Sequence, residues 1–392
     1  MANLWIAVQL IIGFNLVFPF LLLLIAALKR PENSTAHSSA TDRDFAIIVT
    51  VYGQTVYLRE VLDAILALNY AQYHVYVVMD NCKPGDFHYH HEQLSLLYPE
   101  AVLGGNVKSH FYAIDRFVRA HDCMVIVDSD NLVDKELLTQ LNVYFDRGYQ
   151  AVQGLREAKN LDSMYACLDA ARDIYYHYYD GKLLFQAGSS ATLSGSGMAF
   201  DVQLYKDCLG NRDVQGAGFD KVLQYELLSR KKRIAFAPLA IVFDEKTSAS
   251  DQLVNQRARW INTWFKYFKY GFTLIGQGIR NFSWNQILFG LVLLRPPLFL
   301  FLILSLLFMV LNLWIWPAFS LLWMAAFFLF VFSFGIALLN SHADKKIYKS
   351  LLGIPKFMFF QVKSLIYSRN ANKRSVATVH GNLKTGEEEK KN

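Results

Sequence analysis

Residues 122–134 read DCMVIVDSDNLVD, and the reading of this stretch decides the fold. A short apolar run, Met124 to Val127, ends abruptly in two carboxylates, Asp128 and Asp130. Two further runs behave in the same way upstream. DFAIIVTVYG (44–53) reads as a buried strand, followed by TVYLREVLDAILALNY (55–70) with apolar residues at helical spacing. YHVYVVMDN (73–81) is the next strand. Strands that alternate with helices predict an α/β domain with a doubly wound, mostly parallel sheet of Rossmann-like type, joined by right-handed crossovers. Ligands in such sheets sit at the carboxyl ends of the strands. Those ends carry Tyr52 and Gln54, then Asp80, then Asp128 and Asp130, which places a cleft from pattern alone.

Outward from this core the composition changes. The chain has 392 residues, of which 53% are hydrophobic and 15% aromatic, and the excess lies at the two ends. Residues 4–28 carry no charge and are long enough to cross about 30 Å of hydrocarbon. Lys29 and Arg30 follow at once, which predicts an external N-terminus and a cytoplasmic domain after it. Residues 31–43 read as a polar linker. The cytoplasmic domain is expected over 44–252. Aromatic and basic residues mix over 253–285, which suits helices in the membrane interface. A hairpin of spanning helices is expected over 286–342, interrupted by Arg295-Pro296-Pro297. Residues 343–392 return to the cytoplasm as an interfacial helix and a polar tail. The net charge of +6 is spread over flanks of apolar segments, so it suits anionic lipid headgroups and supplies no motif for nucleic acid. Cys82, Cys123, Cys167 and Cys208 are widely separated, which argues against a zinc module or a disulfide framework and for a reducing compartment.

Several residues can carry chemistry. Asp128 and Asp130, at i and i+2 on a strand end, can converge on one hard divalent cation, Mg2+ or Mn2+, although a solvated carboxylate pair is also common there. Asp80 can accept a hydrogen bond from a base or ribose, or form an Asx turn. Asp220 opens a helix after a glycine-rich loop and can be a general base or an N-cap. In Gln256-Arg257-Ala258-Arg259-Trp260, helical spacing puts Gln256, Arg259 and Trp260 on one face, a fork for phosphate oxygens beside a flat plate for a sugar ring. The segment LSGSGMAF (193–200) fits neither phosphate-loop spacing. It allows a close backbone approach to a ligand, or a turn. HYHH (88–91) reads as surface.

In this order the motifs resemble those of the family 2 glycosyltransferases with a GT-A-type fold, the group of the cellulose, hyaluronan and poly-N-acetylglucosamine synthases. The likeness runs over about 45–265, with membrane segments placed as in those synthases. Tyr52 keeps the aromatic of the family's P-x-Y-N-E pattern, while Gln54 replaces its acid. The resemblance implies that Asp80 holds the nucleotide base and that Lys108 is the basic residue before the metal motif. VDSDNLVD is similar to the family's D-A-D, implying that Asp128 and Asp130 hold the metal. Gly195, Ser196 and Gly197 resemble the segment near the acceptor. Asp220 falls where T-E-D or E-D carries the catalytic base, with Phe219 in place of the preceding acid. QRARW satisfies Q-[QR]-x-R-W, implying that Gln256, Arg257 and Arg259 bind the donor diphosphate and Trp260 the acceptor sugar.

The implied activity is inverting, metal-dependent transfer from a nucleotide-sugar, a UDP-sugar in the first place, to a saccharide in cell-surface or extracellular polysaccharide synthesis. The implied location is the plasma membrane, the inner membrane in a bacterium. About three spanning helices are few for a pore, so export would call for a homo-oligomer or an export partner. Two other readings stay open. One is transfer of a single sugar to a polyprenyl-phosphate or lipid acceptor. The other is an inactive sugar-nucleotide-binding subunit of an export complex.

Overall fold

The computed structural model describes residues 2–29, 42–212, 214, 216–369 and 371. Arg30, the linker as far as residue 41 and the tail from residue 372 lie outside the described residues. The chain enters through helix α1 (Ala2–Leu28) and then builds a sheet. Strand β1 (Phe45–Tyr52) leads through α2 (Leu58–Leu66) to β2 (Tyr73–Asp80) and the short β3 (Leu94–Leu97). Helix α3 (Asn106–Ile114) crosses to β4 (Cys123–Asp128), and β5 (Leu132–Val133) and α4 (Leu137–Asp146) follow. After β6 (Ala151–Ala158) comes α5 (Met164–Tyr176), which runs into a π-helix (His177–Leu183) and the three-residue α6 (Leu184–Gln186). The domain closes with β7 (Met198–Asp201), α7 (Val202–Leu209), α8 (Phe219–Ser229) and β8 (Ala235–Asp244).

The eight strands form one sheet in the order β3-β2-β1-β4-β7-β6-β8-β5. Pairing is parallel from β3 to β4 and between β6 and β8, while β7 and β5 run antiparallel to their neighbours. The α/β, mostly parallel architecture is therefore as the alternation of apolar runs implies. Both faces are covered, and the strands show why. Phe45, Ile47, Val49 and Val51 of β1 pack with α2 and α4, while Ala46 and Ile48 face the opposite core. On β4, Val125 and Val127 join the first core and Met124 and Ile126 the second. Period-2 alternation thus divides wholly apolar strands between two layers.

The second core has no outer boundary within the sheet domain. It continues through Tyr175, Tyr179 and Leu184 into Leu16, Phe301 and Phe330 of the long apolar helices. Past the sheet lie α9 (Ser250–Tyr267), α10 (Tyr270–Arg280), α11 (Trp284–Leu294), α12 (Leu298–Ile315) and α13 (Pro317–Asn340), then α14 (Lys345–Ser350) and α15 (Ile354–Tyr367). Three helices, α1, α12 and α13, are long and apolar enough to cross a membrane. The Arg295-Pro296-Pro297 break separates α11 from α12, because a proline lacks the amide donor and disfavours helical backbone in the residue before it.

The segment 187–190 adds polar ties between the two halves. The Ala187 carbonyl accepts from Lys29 Nζ at 2.7 Å and from Trp284 Nε1 at 3.0 Å, and the Ser189 and Ser190 hydroxyls both donate to Asn285. Within the bundle, Gln9 Oε1 accepts from Trp323 Nε1 at 2.7 Å and from Asn312, a buried polar tie between helices.

Candidate active site

Register brings the strand ends together. Tyr52 pairs with Asp80 across β1 and β2, and Thr50 with Asp128 across β1 and β4. At one rim, the buried Asp80 carboxylate accepts the amides of Leu103 and Gly104, both at 2.9 Å. Its backbone carbonyl accepts Gly53 N–H at 3.1 Å. Asp80 therefore clamps the turn that displays Tyr52 and Gln54 and also the loop leading into α3. Lys108 stands exposed on the first turn of that helix. These four residues form one rim, with Tyr52, Gln54 and Lys108 open to solvent.

Asp128 closes β4, and its backbone N–H donates to Ser196 Oγ at 3.1 Å. Asn131 is fully buried, and with its amide turned so that both ends are satisfied it donates to Asp130 at 2.9 Å and to Asp244 at 3.3 Å and accepts from Ser196 at 2.8 Å. Ser196 is itself buried, and its side chain is directed at the carboxylate strand. Glycine is required beside it: Gly197 has φ +65°, and a Cβ there would lie 2.8 Å from Val242. A Cβ at Gly154 would stand 2.4 Å from the Ala240 carbonyl, which explains glycine where β6 shifts register against β8.

Behind the carboxylates lies a charge network that motif reading missed. Arg156 of β6 pairs with Asp244 of β8 at 2.7 Å, and Lys246 reaches the same carboxylate at 2.7 Å while also holding Asp173. Burial opposes the charge on Arg156, and the carboxylates of Asp244, Asp173 and Asp128 more than offset it, so the guanidinium stays charged. For Asp244, burial works against ionisation, yet Arg156 and Lys246 prevail and hold its pKa near about 2. A signal did exist: β8 is an apolar run ending in Asp, as β2 and β4 are.

On the opposite side, α8 begins after Gly218, the N-cap, so Asp220 is the second residue of the helix and not its cap. It is partly exposed, with Lys221 Nζ at 3.2 Å. One turn on, Gln224 Oε1 accepts the Leu193 amide at 2.9 Å, and the next residue, Ser194, gives its amide to Gln153. Residues four apart share a helix face. Asp220 therefore stands on the side of α8 that meets the 193–197 loop, and that loop reaches Asp128 through Ser196.

The QRARW segment lies in α9. Gln256 faces Thr247, beyond the end of β8, at 3.4 Å, and Arg259, three residues on, shares that face. Burial lowers the Arg259 pKa. Arg257 does not join them. It is turned inward, buried and ion-paired with Asp169 of α5. Trp260 is 40% exposed and lies against Arg257 and Arg172, whose guanidiniums stand 3.9 Å and 4.4 Å from the ring centroid.

Among the described residues no three His, Cys, Asp or Glu side chains form a complete metal cage. A carboxylate pair is nonetheless how Mg2+ or Mn2+ is held when phosphate oxygens and water complete its shell, and Asp128 with Asp130 fits that mode.

The profile described as glycosyltransferase like family 2 matches residues 42–263, more than half of the chain. No curated protein matches. Among solved structures, the mannosyltransferase PcManGT from Pyrobaculum calidifontis, in complex with GDP-Man and Mn2+, is similar at TM-score 0.54 and 14% identity, covering 92% of this chain and 97% of that one. S. aureus TarS 1–349, in complex with UDP-GlcNAc, aligns at TM-score 0.40 and 15% identity, covering 84% and 90%.

Proposed function

The chain belongs to the glycosyltransferase like family 2, and from that premise we propose that it is a membrane-anchored, inverting, metal-dependent transferase acting on a nucleotide-sugar at the cytoplasmic face. One observation carries the reading. The carboxylate pair that ends β4 and the Asp220 turn of α8 are tied to the same glycine-rich loop, Asp128 through Ser196 and α8 through Gln224. A donor phosphate and an acceptor hydroxyl bound at these two places would meet across that loop.

In the proposed mechanism the Asp80 rim, with Tyr52, Gln54 and Lys108, receives the nucleotide. Asp128 and Asp130 would hold Mg2+ or Mn2+, which supplies Lewis-acid stabilisation of the departing diphosphate. The presence of Mn2+ with the donor in PcManGT supports this assignment. Gln256 and Arg259 contact the diphosphate, and Arg257 fixes the helix that carries them. The Asp220 carboxylate takes the proton of the acceptor hydroxyl as its oxygen attacks the anomeric carbon, inverting the centre in one displacement. The outer face of the Trp260 ring and the backbone at Gly195 and Gly197 support the acceptor sugar. A growing saccharide of a cell-surface or extracellular polysaccharide is the proposed acceptor, with UDP-sugars the first donors to test. Lys29, Lys345 and Lys346 flank the spans on the side of the catalytic domain, which supports a cytoplasmic site by the positive-inside rule.

The test is product analysis. Membranes containing the protein are incubated with UDP- and GDP-sugars and Mg2+ or Mn2+, and products are identified by mass. A sugar-extended product from one donor class supports the reading, and donor left intact across the panel opposes it.

A further inference from the structure

Six polar atoms at the seam between the sheet domain and the long apolar helices are buried without a partner: Nε of Arg172, Nε and Nη1 of Arg257, Nη1 of Arg295, the Tyr175 hydroxyl and Oδ1 of Asp180. Their contacts run from one to the next. Asp169 is shared by Arg172, at 3.3 Å, and Arg257. Trp260 lies against both of these guanidiniums, and the Tyr176 ring has Arg172 at 5.7 Å and Arg295 at 5.4 Å from its centroid. Arg257 is 2% exposed and Arg295 7%.

Each guanidinium satisfies part of its fork on an acid and leaves other N–H groups bare. The acids are largely engaged: Asp169 by two arginines, Asp173 by Arg172 and Lys246, and Asp180 by Arg295 through Oδ2 alone, with its Oδ1 left bare. Buried N–H donors of charged groups are costly to leave unpaired, so a native site of this kind calls for a further acceptor. A guanidinium fork matches an oxyanion, phosphate above all. Depth narrows the choice. Arg295 closes α11 three residues before Leu298, where the apolar α12 begins, so the cluster adjoins one end of a candidate span, where lipid headgroups are the nearest source of phosphate.

We propose that Arg172, Arg257 and Arg295 form a second anion site that takes the phosphate group of a membrane lipid, separate from the place of the donor diphosphate. Trp260, with one face on the guanidiniums and the ring partly exposed, separates the site from the outside. A polyprenyl phosphate presented as acceptor and an anionic phospholipid headgroup share this chemistry. The site rests on the proposed function only for the meaning of the first source.

The test is equilibrium binding of radiolabelled geranylgeranyl phosphate to the full-length protein in neutral detergent, with phosphatidylglycerol, phosphatidylcholine and inorganic phosphate as competitors. Saturable binding is expected, weakened at least about tenfold in the charge-matched pair Asp180→Asn/Arg295→Gln. Because Arg257→Gln alone would strand Asp169, the charge-matched pair Asp169→Asn/Arg257→Gln is the second variant. It should keep the wild-type Tm and show the same loss. Competition by phosphatidylglycerol at equal potency assigns a bulk headgroup, and resistance to it assigns the acceptor phosphate. Inorganic phosphate as the only effective competitor, absence of saturable binding, or unchanged affinity in both variants would overturn the proposal. Asp130→Asn separates the two readings: lipid binding should persist there whether or not sugar transfer is ever observed.

Discussion

Ser196 Oγ accepts the backbone N–H of Asp128 at 3.1 Å, so a loop of small residues holds the end of the strand that carries the carboxylate pair. The same hydroxyl reaches Asn131, which bonds Asp130. A residue that orients metal-holding carboxylates typically contributes 10–100-fold to metal affinity. Ser196→Ala should therefore raise the Mn2+ concentration needed for half-maximal turnover by about tenfold or more, with nucleotide-sugar KM at saturating Mn2+ near wild type. An unchanged Mn2+ titration would remove the loop from that role.

Asp130→Asn is expected to abolish transfer while leaving Tm nearly unchanged, since a strand-end group contributes little core packing. Chelation should reproduce the loss in the wild type, and added Mn2+ or Mg2+ should restore it. Full activity in chelator would show that the carboxylates serve another purpose.

The Arg156–Asp244 pair is almost out of water, at 16% and 14% side-chain exposure, so removing one partner leaves the other charge poorly compensated. Arg156→Gln should cost about 3–5 kcal/mol in denaturant unfolding. The double variant Arg156→Gln/Asp244→Asn should cost less than the sum of the two single changes. Strict additivity would mean that the two groups do not interact.

His110 of α3 is fully buried, its Nδ1 2.6 Å from the Tyr205 hydroxyl and its ring against Phe219, beside Asp220. Burial pushes its pKa down to about 3, from an ordinary value near 6.5. Between those values the unfolded chain binds a proton that the folded chain refuses. This contribution to stability is therefore complete above about pH 6.5 and falls by about 1.4 kcal/mol per pH unit below it. Unfolding midpoints at pH 7.5 and 5.5 should differ less in His110→Gln than in the wild type. Equal differences would exclude His110 as the acid-sensitive group.

Legibility in the sequence followed physics residue by residue. The β1, β2 and β4 runs are apolar on both faces and end in a polar group, a pattern that specifies a covered parallel strand and its carboxyl end without tertiary information. Antiparallel β7 was hidden because Met198–Asp201 is four residues long and follows glycines, so it showed only as a turn. The partner of Arg257 was also hidden. The spacing of Arg257 from Gln256 and Arg259 says which side of α9 it occupies, whereas its partner Asp169 is 88 residues away in the chain. Likewise the sequence left Asp220 open as a base or a cap, and the backbone at Gly218, with φ +100°, puts the cap two residues earlier.

Turnover of Asp220→Asn with a donor that the wild type uses, followed as nucleoside diphosphate release with acceptor present, is the most direct test of the account. An amide fills the space of the carboxylate but accepts no proton at neutral pH, so fold and donor binding should persist. The rate should fall by at least about a hundredfold, the low end of what general-base catalysis contributes. A rate near wild type would contradict it, and the base would have to be another group in the cleft.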